Sequence, residues 1–316
     1  MKNKFLILFL LLLFSVNSYS REFKGLGYWA LDQEKECGIP VDTSCYLLLD
    51  SIIHNCKDRF YNRGEGLPVD ELHILTTISN ILKDFNITYD TLRSFSSALT
   101  NRKFDCRYYT LTYLTISENI RLNLLYSLAP SHMFICILDA RIYSTNFDTT
   151  KGRKIINPHI YPINFETTKA TFVERQDYID NLNISKVALD NGVYLSPKSP
   201  DKFKSVILTD LGSYFVRKGE HAKAIEYFSQ ALSIDVLYTT AHLNIGVARS
   251  QLGDHAGAIR NYSILLDLDP NDSWAYFNRG NAEIHLNDIE NACIDYKKAL
   301  SLGLKEAQIN INQYCK

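Results

Sequence analysis

LTDLGSYFVRKGEHAKAIEYFSQAL (Leu208–Leu232), HLNIGVARSQLGDHAGAIRNYSILL (His242–Leu266) and YFNRGNAEIHLNDIENACIDYKKAL (Tyr276–Leu300) are three copies of one pattern at a 34-residue period. Gly212, Gly246 and Gly280 recur in step, as do Ala224, Ala258 and Ala292, and then Phe228, Tyr262 and Tyr296. A fixed period of this length marks a helical repeat in which each unit is a pair of antiparallel helices, A and B. The glycines suit a place where helix B approaches helix A closely. The alanines are read as their small partners on helix B, and the aromatic residues as filling between neighbouring repeats. Gly219 and Gly253 follow helix A, where glycine supplies a left-handed cap, and Asn287 takes that place in the third copy. Pro270 closes the second repeat. Residues 305–316 are expected to form a capping helix over the last apolar face.

Over residues 205–306 this pattern resembles the tetratricopeptide repeat, departing from it where Val236 replaces the closing proline of the first copy. The resemblance implies a concave surface lined by A helices that takes a protein or peptide ligand. Asn244, Asn278 and Asn281 fall on or near that surface and are the candidate partner-binding residues, against the plainer reading that asparagine there only keeps the face soluble. No cluster of Lys or Arg stands there to hold a carboxylate.

Upstream the chain changes character. Lys2 and Lys4 precede an apolar run from Phe5 to Phe14, with the small residues Ser18 and Ser20 before Arg21. Residues 1–20 therefore read as a secretory signal peptide, leaving an exported protein, periplasmic or secreted, with no transmembrane span after cleavage. Seven cysteines then meet an oxidising compartment: Cys37, Cys45, Cys56, Cys106, Cys136, Cys293 and Cys315. The first three are close enough for a local bridge, and Cys293 with Cys315 could join the last repeat to the closing helix. No pair of C-x-x-C motifs is present, which argues against a structural zinc site. A net charge of −1 without a basic block argues against nucleic acid as a partner.

Residues 21–43 are read as an N-terminal extension and 44–202 as an α+β domain ahead of the all-α array at 203–316, able to fold without it. Helical spacing covers 44–57, 69–85 and Tyr89 to Leu99, with Gly64, Gly66 and Pro68 breaking the chain between the first two. A further helix begins at Cys106, with Asp105 as its N-cap and Tyr109, Tyr113, Ile116 and Ile120 on one face. At a helix N-terminus the dipole favours the Cys106 thiolate. The periodicity then shifts towards two: His132 to Leu138 reads as a strand, KIINPHIY and PINFETT as two shorter ones, and 139–152 as a hairpin connection.

The stretches FDC (Phe104–Cys106), LAPSHMFI (Leu128–Ile135) and INFETT (Ile163–Thr168) resemble the core of transglutaminase-like proteins, relatives of the papain-type cysteine peptidases, and bacterial members that carry tetratricopeptide repeats directly after it. Ser131 and Phe165 depart from the usual Gly and Trp of that family. The resemblance implies a transglutaminase-like (papain-like) fold for this domain and a cysteine-dependent hydrolase or acyltransferase acting on an amide or peptide bond. Cys106 would be the nucleophile, His132 the base and Glu166 the acid that orients it, with Asn164 the alternative third member. No cofactor and no metal is implied. The alternative is an exported adaptor in which the core is inactive and the array alone works.

Overall fold

The computed structural model describes residues 23–61, 71–90, 94–122, 124–130, 132–137, 163–166, 171–173, 179 and 184–315. The expected signal peptide, the 139–152 connection and the KIINPHIY strand lie outside them. The N-terminal body opens with α1 (Leu26–Glu36), α2 (Thr43–Tyr61) and α3 (Glu71–Asp84). Next come β1 (Thr88–Tyr89), α4 (Phe95–Asn101), β2 (Lys103–Phe104) and α5 (Cys106–Ile120). The helix expected from Tyr89 starts six residues later, because Tyr89 pairs in parallel with Phe104 instead.

Four strands follow in the order β3 (Leu125–Ala129), β4 (His132–Ile137), β5 (Ile163–Glu166) and β6 (Thr171–Val173), all antiparallel neighbours. Strand β3 was not foreseen; its residues Tyr126, Ser127, Leu128 and Ala129 are all buried, so it lacks the alternation that marks a one-sided strand. After α6 (Lys186–Asp190) and a 3₁₀ turn (Pro200–Phe203), the chain enters the array.

The array runs α7 (Lys204–Arg217), α8 (His221–Ile234), α9 (Thr239–Gln251), α10 (His255–Leu268), α11 (Ser273–His285), α12 (Ile289–Ser301) and the capping helix α13 (Ala307–Tyr314). Gly219 and Gly253 have φ of +77° and +82°, and Asn287 takes 62°, the left-handed corner expected of all three. A Cβ on Gly212 would sit 2.4 Å from the Phe228 ring, and one on Gly246 2.3 Å from Tyr262. The aromatic residue thus lies over the glycine of its own repeat, rather than between repeats as read from the sequence. The glycine is bare because a ring rests on it, while Ala224, Ala258 and Ala292 are fully buried beside that contact.

The two parts are not separately cored. One continuous apolar cluster runs from Phe23 through α1–α5 and the sheet into the first two repeats, as far as Ala248. The described part of the N-terminal extension, residues 23–43, packs into this core. Leu26 donates its N–H to Glu118 and Gly27 donates to Thr115 Oγ1, which fastens α1 to α5. At the change of architecture near 203, Lys198 and Asp235 form a 2.8 Å ion pair with side chains 4% and 0% exposed. Ser185 donates to Asp269 at 2.9 Å. Taking away one side of a seam built like this exposes apolar surface and strands buried charge, contrary to an independently folding first part.

Cys293 and Cys315 form a disulfide that clips α12 to the residue after α13. Cys37, Cys45 and Cys56 are buried free thiols in this structure, each with its own surroundings rather than a mutual bridge. Cys37 Sγ lies 3.0 Å from the Tyr227 hydroxyl, whereas Cys45 Sγ lies 3.6 Å from the Ser96 carbonyl.

Candidate functional site

Cys106 is the first residue of α5. Asp105 caps the helix as expected: its carboxylate accepts the N–H groups of Arg107 at 2.9 Å and Tyr108 at 3.1 Å. The Cys106 side chain is buried against β4 and accepts the N–H of Met133, the residue after His132. Burial, and next the Asp105 carboxylate, push this thiol up to about 11, against the lowering pull of the Met133 N–H and Arg107. The helix-start location alone favours thiolate, but here desolvation outweighs it.

His132 opens β4 opposite Ala129. In the next pair of strands Cys136 faces Asn164 and Ile135 faces Phe165, and Glu166 ends β5. That register puts chain positions 132, 164 and 166 on one face of the sheet, the other face from the buried Met133 and Ile135. The backbone therefore brings the start of β4 against Cys106 and sets Glu166 and Asn164 on the neighbouring strand. The side chains of His132, Asn164, Glu166 and Cys136 lie outside the described residues.

Around Cys106 the structure adds residues that the sequence did not single out. Arg107 donates from Nε at 2.9 Å and Nη2 at 2.6 Å to the Asp105 carboxylate, and from Nη1 to Asp210 on α7. Tyr238, the residue before α9, is buried and feels the charges of Asp210, Arg107 and Cys106. Burial raises Asp210 to about 6, with Arg107 opposing and Asp105 and Glu34 reinforcing. Glu34 itself is buried on α1 and accepts from the N–H of Ser96 at 2.9 Å, at the start of α4. One signal for Asp210 was present: it stands one period before Asn244 and two before Asn278.

On the A helices, Asn244 and Asn278 are half-buried, and Asn244 reaches Ser213 of the previous repeat at 3.5 Å. Asn281 is committed to the scaffold. Its Oδ1 accepts from the Tyr296 hydroxyl at 2.8 Å and from Asn310 of the capping helix at 2.9 Å. Trp274 is 48% exposed at the start of α11 and meets the half-buried Phe277 edge-on at 6.0 Å. Within the third repeat, Arg279 and Glu283 stand where the first repeat has Leu211 and Phe215. Arg279 makes a bidentate pair with Asp295 at 2.7 and 2.9 Å, and Glu283 is buried beside them with Oε2 lacking a partner.

A tetratricopeptide-repeat family model matches residues 209–273 and 243–307. These residues are tetratricopeptide repeats. The matched stretch does not extend to Cys106, His132 or Glu166. Among solved structures, the first TPR domain of human RPAP3 is 22% identical, with 36% of this chain and 91% of that domain covered and a TM-score of 0.35. The first TPR of Spaghetti (RPAP3), bound to the HSP90 peptide SRMEEVD, is 24% identical over 36% of this chain and 93% of that one, with a TM-score of 0.36. The Sgt2 TPR domain of Aspergillus fumigatus is 26% identical over 34% of this chain and 80% of its own, with a TM-score of 0.32. No curated protein matches the chain. Among the described residues no helix is long and apolar enough to cross a membrane.

Proposed function

We propose that this protein is an exported adaptor whose tetratricopeptide repeats bind a protein or peptide along the A-helix face. The observation that carries the reading is the family match over residues 209–307, in which an exposed Trp274 meets Phe277, Asn278 follows one turn along the same helix and Asn244 holds the equivalent position of the second repeat. A solvent-exposed indole costs free energy in a monomer and suits an anchor for an apolar side chain. Carboxamides beside it can satisfy both donors and acceptors of an extended backbone. Export is supported by the Cys293–Cys315 disulfide, which persists where the compartment is oxidising. Selection of peptides from a displayed random library, followed by titration against Trp274→Ala and Asn278→Ala, tests this. The expected loss is about tenfold or more in affinity at Trp274. Selected peptides that bind both variants as well as the wild type would show the ligand surface to be elsewhere.

A second reading has its own observation in favour: Cys106 begins a helix and packs on β4 beside His132, with Glu166 on the adjacent strand. It makes the body a transglutaminase-like cysteine enzyme acting on an amide or peptide bond. Cys106 would attack the carbonyl to form a thioester, with His132 taking the thiol proton and passing it to the leaving amine, and Glu166 or Asn164 orienting the ring. Water or a second amine would then release the acyl group. The raised Cys106 thiol requires that substrate binding or His132 lower the cost of ionisation. Trapping by an amide-directed thioester-forming probe, lost in Cys106→Ala and His132→Ala, is the expected result. Equal labelling of these variants removes the enzyme reading and leaves the adaptor.

A further inference from the structure

Asp210 belongs to the first repeat, yet its partner is a residue of the N-terminal body, 103 positions away in sequence. Arg107 follows Cys106 directly, and its guanidinium lies between Asp105, the cap of that helix, and Asp210 on α7. Both ends are largely withdrawn from solvent, with side chains 30% and 23% exposed. The equivalents of Asp210 in the next repeats are Asn244 and Asn278, so the first rung of the A-helix series is already held by the chain's own cation.

We propose that the Arg107–Asp210 bridge is the link through which the first repeat sets the reactivity of the Cys106 thiol, with Asp210 acting as a positioning residue. The argument is electrostatic and directional. Asp105 disfavours a negative charge on sulfur and Arg107 favours one. Asp210 holds Arg107 and cancels part of its field. While the bridge stands, the thiolate gains little from the neighbouring guanidinium. When Asp210 is engaged by a cationic group of a bound partner, Arg107 keeps its bonds to Asp105, but its field is no longer offset by Asp210 and stabilises the sulfur anion. Among the described residues, the other charged or titratable groups acting on this cluster are Glu34 on α1, Tyr89 on β1, Tyr108 on α5, Arg217 on α7 and Tyr238 ahead of α9. His132 adjoins it in sequence beside Met133 on β4. The inference concerns the ionisation of the thiol and holds whether or not Cys106 is a nucleophile.

The test is the rate of iodoacetamide labelling at Cys106 in the full chain, read by peptide mass spectrometry from pH 6 to 10. Asp210→Asn is expected to move the pH profile to lower pH and speed labelling at pH 8 about two- to fivefold, because one uncompensated charge shifts a thiol by up to about a unit. Arg107→Gln is expected to move the profile the other way and slow labelling by a similar factor. Asp210→Glu, which keeps the bridge, follows the wild type. Labelling accelerated alike in Asp210→Asn and Arg107→Gln would mean mere loosening and overturn the proposal, as would wild-type profiles in both. Should Asp210→Asn fail to fold, Arg107→Gln and Arg107→Lys decide: the first slows labelling and the second retains the wild-type profile. Matching profiles for these two overturn it.

Discussion

The array and the body that precedes it are stabilised in different ways. In the array one contact is made three times, an aromatic ring of helix B laid on a glycine of helix A in the same repeat. In the body each tie occurs once and spans a long stretch of chain: Glu34 to Phe95 across 61 residues, Leu26 to Glu118 across 92. Repeated local contacts tolerate the loss of one copy, since each unit touches only its neighbours. Single long-range ties do not, and the seam at Lys198–Asp235 and Arg107–Asp210 makes the first repeats share that sensitivity. The molecule therefore grades from a rooted end to a modular one.

The largest effect expected is from removing residues 203–316. The truncated body loses Asp235, the partner of Lys198, and Asp210, one of the two carboxylates that hold Arg107, and uncovers its share of the common core, so it should fail to give soluble, cooperatively folding protein. A truncation that melts cooperatively with native-like circular dichroism would break the contrast. Lys198→Met comes next. It leaves the fully buried Asp235 carboxylate with the partly exposed Lys202 at 3.6 Å and the Leu237 N–H at 3.4 Å, and should cost about 3–5 kcal/mol. Fluorescence of single-tryptophan variants sharpens the comparison, because Trp29 reports the body and Trp274 the third repeat. Both probes should shift in Lys198→Met if the seam governs both parts. A shift at Trp29 alone would mean that the last repeat melts by itself.

Much of this contrast determined what could be read in advance. The array was legible to the residue: its period, the caps at Gly219, Gly253 and Asn287, and the closing helix follow from residues whose partners lie within one or two units. The place of Phe228 and its equivalents differs from the sequence reading, because spacing gives the register of a ring but not which gap it fills, and the bonds of Asn281 to Tyr296 and Asn310 were not legible either. In the body, the Asp105 cap and the start of α5 were legible because a cap is local. The role of Glu34 at the start of α4, the Arg107–Asp210 bridge and the all-buried strand β3 were not, since each depends on chain segments brought together only by the fold. The candidate residues Cys106, His132 and Glu166 rested on a resemblance, and the structure adds for them the position of Cys106 against β4.

Gly246→Ala should cost about 1–3 kcal/mol, because the added methyl meets the Tyr262 ring at 2.3 Å. Thermal melts of Gly246→Ala and Gly253→Ala separate crowding from backbone strain: Gly253 has nothing near its Cβ position, so its cost comes from φ +82° alone. A Gly246→Ala protein as stable as the wild type would remove the ring-on-glycine contact as the unit of the array.

The smallest effect lies in the third repeat. Burial, with Asp295 adding to it and Arg279 opposing, raises Glu283 to about 7 from an ordinary 4.5. A carboxyl raised on folding stabilises the native state most below its unfolded value, and that contribution is lost as pH rises through the folded one. The third repeat should therefore lose about 1–2 kcal/mol between pH 5 and 8, seen at Trp274. Glu283→Gln should flatten that slope. An unchanged slope in the variant would place the titration elsewhere.

The disulfide at the far end completes the gradient. With the first two repeats anchored by shared core and buried charge, and α12 clipped to the tail of α13 through Cys293 and Cys315, the two ends of the array are held by different means, one by packing and one by a covalent bond. A unit inserted between the second and third repeats would enter beyond Ala248, where the shared core stops. Such an insertion would extend the binding face while leaving the surroundings of Cys106 untouched.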